Sequence, residues 1–104
     1  MYTVLQMIPE HRDYLAENDM DLLFKITMDG KVTPATVLAH YQSVAEVSAP
    51  SLEDVFRVSN MNMEDKITRI RRMHTVSVGD VIKDEDGEMF VVAPFGFEKV
   101  EELA

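Results

Sequence analysis

HTVSVGDVIKDEDGEMFVVAPFGFEKV, residues 74–100, is where hydrophobic pattern, turn chemistry and chain punctuation agree. Val76, Val78, Val81 and Ile82 lead into a polar turn, and Met89, Phe90, Val91 and Val92 lead out of it. The turn, from Lys83 through Glu88, contains Asp86-Gly87, a strong hairpin signal because glycine takes positive φ without steric cost. This pattern predicts a β-hairpin followed by a tight bend at Pro94-Phe95-Gly96-Phe97. Just upstream, Ser77 and Asp80 can bond to the backbone of a turn while Gly79 supplies positive φ between two strand pieces, so these positions read as structural.

Upstream of the hairpin, Ser51-Leu52-Glu53-Asp54 has the form of a helix start. A serine can accept a first-turn amide there, and the acidic residues face the positive end of the dipole. Leu52, Val55 and Phe56, with Val58 or Ser59, complete an apolar stripe, which predicts a helix over 51–59. Asn62 followed by Glu64-Asp65 suggests a second, shorter helix with Met63, Ile67 and Ile70 on one face. Residues 41–47 read as a strand, with Leu38, Tyr41, Val44, Ala45 and Val47 pointing to a buried face. Residues 2–8 are β-branched and aromatic-rich up to Pro9 and read as a first strand. Residues 10–18 read as a short surface helix anchored by Tyr14 and Leu15. Residues 22–28 fit either a strand or the end of a helix, and Pro34 is expected to break the chain. Eight methionines are many for 104 residues, and filling of irregular core gaps is the expected use. Together these readings predict a single α+β domain over 1–104. It has a small antiparallel sheet of four or five strands, one main helix near 51–59 packed on one face, and a C-terminal β-hairpin.

Composition bounds the function. The chain is 46% hydrophobic and 28% charged, ordinary for a globular protein, and it has no cysteine, which removes thiolate metal sites and cysteine nucleophiles. No apolar run is long enough for a transmembrane helix, and the N-terminus lacks a basic region before an apolar one, so a cytoplasmic location without membrane association is expected. The net charge is −9, with −6 carried by residues 79–104 and a local reversal to +2 over residues 61–78. Such acidity opposes phosphate backbones and puts direct nucleic-acid binding at a disadvantage, while it can complement a basic protein surface.

Candidate chemistry is sparse. Aligning Gly87 with the obligatory glycine of a calcium loop places Ile82 and Ala93 where carboxylates must stand, so the helix–loop–helix calcium reading fails. A loose cation site at the acidic tip stays open beside a solvated turn. His11, His40 and His74 are not spaced as ligand pairs on a helix, and His40 and His74 could approach the core. Ser43, Ser48, Ser51, Ser59 and Ser77 show no nucleophile motif, and the four glycines build no phosphate loop. No catalytic, cofactor-binding or metal-ligating residue is therefore expected, nor a cofactor. The basic run of Lys66, Arg69, Arg71 and Arg72, with Arg57 nearby, reads either as internal neutralisation of the acidic hairpin and C-terminus or as a contact surface. Phe95 and Phe97 flank a flexible glycine, one ring expected in the core and the other partly exposed. Arg57, Arg69, Arg71, Arg72, Phe95 and Phe97 are the candidate partner-binding residues.

The run Ser51-Leu-Glu-Asp-Val-Phe-Arg-Val-Ser-Asn60, with Thr75-Val-Ser-Val-Gly-Asp-Val-Ile82 and Val92-Ala-Pro-Phe-Gly-Phe97, resembles the YodL-like group of small proteins of bacteria, mobile elements and phages. The likeness covers about residues 41–100. Thr75 stands where that pattern has its first serine, while Ser77, Gly79 and Asp80 fit it. The group has no established activity, so the resemblance implies context, a mobile-element or phage accessory protein acting in the host cytoplasm, and no mechanism. The expectation is a non-enzymatic protein that binds a protein partner, with interference in host defence or DNA-handling machinery as its sharper form. The alternative is a small nucleic-acid-binding module using the arginines of residues 69–72; a small hydrolase or metal enzyme ranks third. An acidic monomer and a homodimer through an exposed edge strand both fit, the dimer slightly favoured because small sheets must protect their edges.

Overall fold

The computed structural model describes residues 1–61 and 63–100. The strand read at the start of the chain is the centre of the sheet. β1 (Tyr2–Met7) pairs antiparallel with β2 (Tyr41–Val47) on one side and with β4 (Val81–Lys83) on the other. β3 (Ile67–Arg69) and β6 (Phe97–Lys99) form the two edges, and β5 (Met89–Val92) joins β4 to β6, giving the order β3-β2-β1-β4-β5-β6. The class is α+β, as expected, but the sheet has six strands and not four or five.

Helices cover both faces of that sheet. Alternate residues of the same strand point to opposite sides, so Val4, Ile82 and Val92 join one core while Leu5, Val81 and Val91 join the other. The first core is closed by Val55 and Val58 of α4 (Leu52–Asn60). The second is closed by Ile26 of α2 (Met20–Thr27) and Val37 of α3 (Pro34–His40). α1 (Pro9–Asn18) follows β1 as the expected surface helix, but it is anchored by Leu15 alone, because Tyr14 is exposed. The single main helix on one face is thus half of the arrangement.

One open reading is resolved and two others change. Residues 22–28 fall largely in α2, capped by Asp19, whose carboxylate accepts from Leu22 N at 3.2 Å. Pro34 starts α3 instead of breaking the chain, because proline at the first helical position loses no hydrogen bond, and Thr33 caps it through Thr36 N. Leu38, expected on the buried face, sits on that helix and is 89% exposed. Finally, Glu64–Lys66 makes only a single 3-10 turn before the chain extends into β3, so Ile67 is buried and Ile70 is exposed; Asn62, proposed as the start of that helix, lies outside the described residues.

The incomplete alternation of residues 41–47 has a cause. Val4 faces Ala45 but Leu5 faces Ser43, so Val44 is an extra residue in β2 and a bulge. The bulge sends both Val44 and Ala45 into the α4-side core, and the Val44 carbonyl accepts from Ile70 N and Arg71 N at 2.8 and 3.1 Å. The hairpin entry is held equally firmly. Gly79 has φ +94°, and a Cβ there would lie 2.6 Å from the Ile26 carbonyl oxygen, so only glycine lets this turn seat on α2. Met63 and Met73 pack against the first core and Met7 and Met89 against the second, whereas Met61 is exposed.

Candidate functional site

Two places in the fold gather polar or aromatic groups beyond what packing needs. The first lies where the end of β1, the start of α1 and the turn before β4 meet. Gln6 is polar yet sits on the central strand and is buried, so its amide must find partners. Its Nε2 donates to Asp80 Oδ2 and to the His74 carbonyl, both at 3.0 Å, and its Oε1 accepts from His74 N at 3.2 Å. Asp80 Oδ2 also accepts from Ser77 N at 3.0 Å. Tyr41, at the start of β2, donates its hydroxyl to the Gly79 carbonyl. His74 Nδ1 lies 2.7 Å from the Thr75 carbonyl, which can only accept, so Nδ1 carries the hydrogen; the same nitrogen is 3.9 Å from Asp80 Oδ2.

The electrostatics follow from burial. Loss of solvent disfavours the Asp80 carboxylate and raises its pKa to about 6, against the smaller opposing effects of the Ser77 N–H, His74, Gln6 and Arg12. Burial, and secondarily the Asp80 charge, pushes the Tyr41 phenol well above its ordinary range. A pocket of about 140 Å³ opens beside them, lined among others by Arg12, Tyr41, His74 and Asp80. The arrangement can hold or release one proton on the Asp80 carboxyl at about pH 6. It does not activate a hydroxyl: Tyr41 commits its proton to a carbonyl, and Ser77 meets Asp80 through its backbone N–H.

The second place is the bend before β6. The Ala93 N–H donates to the Gly96 carbonyl at 2.9 Å and Gly96 has φ +82°, which closes a tight turn. Phe97 packs against the α4-side core, while Phe95, at the tip, is 97% exposed. Beside them Phe56, Val92, Ala93, Pro94 and Phe97 line an apolar trough of about 270 Å³ with Glu53 at its rim.

The arginines of the candidate surface are distributed differently from the sequence reading. Arg57 pairs with Asp54 within α4 at 2.6 Å, and Arg69 grips Glu64 through Nε and Nη2, with a shortest contact of 2.7 Å. Arg71 donates to the Ser43 carbonyl at 2.6 Å, and Arg72 is exposed. Among the described residues, then, the internal neutralisation is with local helix and turn acids and not with the acidic hairpin. The hairpin tip organises itself: Asp84 Oδ1 accepts from Asp86 N and Glu88 N at 2.9 Å, Glu85 pairs with the N-terminal amine, and Glu88 with Lys99 at 3.4 Å.

Sequence reasoning missed Gln6 and treated Asp80 only as a turn residue. The available signal was a glutamine inside an otherwise apolar strand, which in a central position requires buried partners. It also placed the histidines apart, whereas the fold brings His11 and His40 into contact. Among the described residues no three histidine, aspartate or glutamate side chains converge as a metal cluster, and no helix is long and apolar enough to cross a membrane. Comparison with protein-family models, with curated proteins and with solved structures finds no match to the chain.

Proposed function

We propose that the chain is a binding protein whose contact surface is the aromatic bend at Phe95, and that its partner is a protein presenting an apolar side chain within a basic surround. The observation that carries this reading is Phe95 itself. A phenyl ring 97% exposed on a turn closed by its own backbone hydrogen bond is anchored, costs little entropy to immobilise, and adjoins an apolar trough that a side chain can fill. The net charge of −9 supports a basic surround on the partner, since complementary charge speeds encounter and sets specificity. The resemblance to element-borne accessory proteins adds the expectation that the partner belongs to host defence or DNA-handling machinery, met in the host cytoplasm. The nucleic-acid alternative is weaker because Arg57 and Arg69 are already engaged by carboxylates and the surrounding charge is negative.

The test is affinity capture from bacterial lysate with three proteins: wild type, Phe95→Asp, and a variant with Arg69, Arg71 and Arg72 changed to Glu. The expected result is one host protein enriched on wild type and on the arginine variant but lost from Phe95→Asp, with unchanged melting temperature for the latter because the ring touches no core. Capture that survives Phe95→Asp and fails in the arginine variant moves the surface to residues 69–72. A gel shift of DNA or RNA that weakens with salt would favour the alternative instead.

A further inference from the structure

His11, in the first turns of α1, and His40, the last residue of α3, are 29 positions apart and meet ring to ring, with their Nδ1 atoms 3.1 Å apart. The rings are nearly perpendicular, at 78°, with centroids separated by 5.3 Å. We propose that this pair is a site for a divalent transition-metal ion of the imidazole-preferring class, Zn²⁺, Ni²⁺ or Cu²⁺, with water completing the coordination.

Three observations carry the proposal. The first is spacing: two nitrogens bound at 2.0–2.1 Å to one tetrahedral ion lie about 3.3–3.4 Å apart, so the imidazoles need to open by only about 0.3 Å. The second is the state of the nitrogens. A hydrogen bond between them makes one Nδ1 the acceptor, with its ring hydrogen on Nε2; the other ring presents a lone pair, still as neutral imidazole, when its hydrogen shifts from Nδ1 to Nε2. The third is the frame. Ile8 joins the two ligand segments through its own peptide groups: its N–H donates to the His40 carbonyl at 2.8 Å and its carbonyl accepts from His11 N at 2.9 Å. Both rings are half-buried, so their positions are limited by packing while an edge stays open to solvent. A chelate held ready in this way does not have to order two free side chains on binding.

The ligand set also decides which ions are excluded. Neutral imidazoles, with no carboxylate converging on them among the described residues, suit zinc, nickel and copper and not magnesium or calcium, which prefer oxygen. With only two protein ligands the coordination stays open to water, and the ion is exchangeable. Its place in the fold gives it a consequence. Arg12 follows His11 and Tyr41 follows His40, and both line the pocket beside Asp80, so the ion would fasten together two walls of that pocket.

The test uses the untagged full chain titrated with Zn²⁺ and Ni²⁺ alone, followed by calorimetry and by the histidine ring signals in NMR. One ion per chain is expected, with shifts confined to the His11 and His40 rings and a raised melting temperature. Binding should weaken at least about tenfold in His11→Gln and in His40→Gln and persist in His74→Gln. No saturable binding, binding retained in both of the first two variants, or ring shifts centred on His74 would overturn the proposal. The ring signals are read on wild type, so they decide the matter even if a variant folds poorly. Magnesium at millimolar concentration should leave all three histidines unmoved.

Discussion

Asp80 shows how one buried side chain gives the molecule a pH dependence. An aspartate in the unfolded chain titrates near 3.9, while in the fold burial holds Asp80 at about 6. Between those values the folded state binds more protons than the unfolded one, so this residue's contribution makes stability fall as pH rises from about 4 to about 6, and the full cost is present above that. A shift of about two units corresponds to roughly 3 kcal/mol. Asp80→Asn removes the charge while leaving an acceptor for Gln6 and the Ser77 N–H. Denaturant unfolding of both proteins across this range should therefore show the variant gaining on wild type by up to that amount as pH rises. A difference that stays flat would contradict the assignment. The two turn glycines offer a second comparison at this scale. Gly79→Ala forces a Cβ into the Ile26 carbonyl and should cost roughly 3 kcal/mol or more, whereas Gly87, with nothing within 4 Å, should cost only about 1 kcal/mol on the same change, both read from urea midpoints.

At the scale of elements, what was legible depended on whether local signals were self-sufficient. The start of α4 was, because Ser51 accepts from Asp54 N at 3.3 Å and the stripe of Val55 and Val58 needs only helical spacing. The hairpin was as well, its Asp-Gly turn carrying Gly87 at φ +86° between β4 and β5. α3 was not legible, since a proline reads as a break until its place at the first turn of a helix is known. The far end of α4 is fixed by a contact no local rule contains. Asn60 Oδ1 accepts from Val76 N at 2.8 Å and its Nδ2 donates to the Val76 carbonyl at 3.0 Å, so the side chain pairs with a passing segment as a strand would. Asn60→Ala should cost about 2 kcal/mol, roughly 1 kcal/mol for each bond lost. An unchanged urea midpoint would mean that water replaces both bonds.

At the scale of the whole molecule, the two cores share strands, and that ties them together. Val81 serves one face and Ile82 the other, one residue apart on β4, and both are fully buried. Ile82→Ala should cost roughly 2–5 kcal/mol, and Val81→Ala less because fewer atoms are removed. In each variant the far-UV signal of the helices and the near-UV signal of the tyrosines should fall in one transition. Separate transitions would show that the α2–α3 layer can leave while the α4 side stays folded. Outside the two cores, Phe95 at 97% and Leu38 at 89% are the most exposed of the large apolar side chains.

By itself the sequence determined the class, the strands at residues 2–8 and 41–47, the helix following Ser51 and the hairpin around Gly87. Each of these rests on periodicity or turn chemistry within about ten residues, where backbone sterics and alternate burial act directly. The tertiary structure alone decided that the first strand is central and that helices cover both faces. It also decided that Gln6 meets Asp80 and that His11 meets His40. These last contacts span up to 74 residues of chain, and pairing over such distances is chosen by the packing of the whole sheet and its helices.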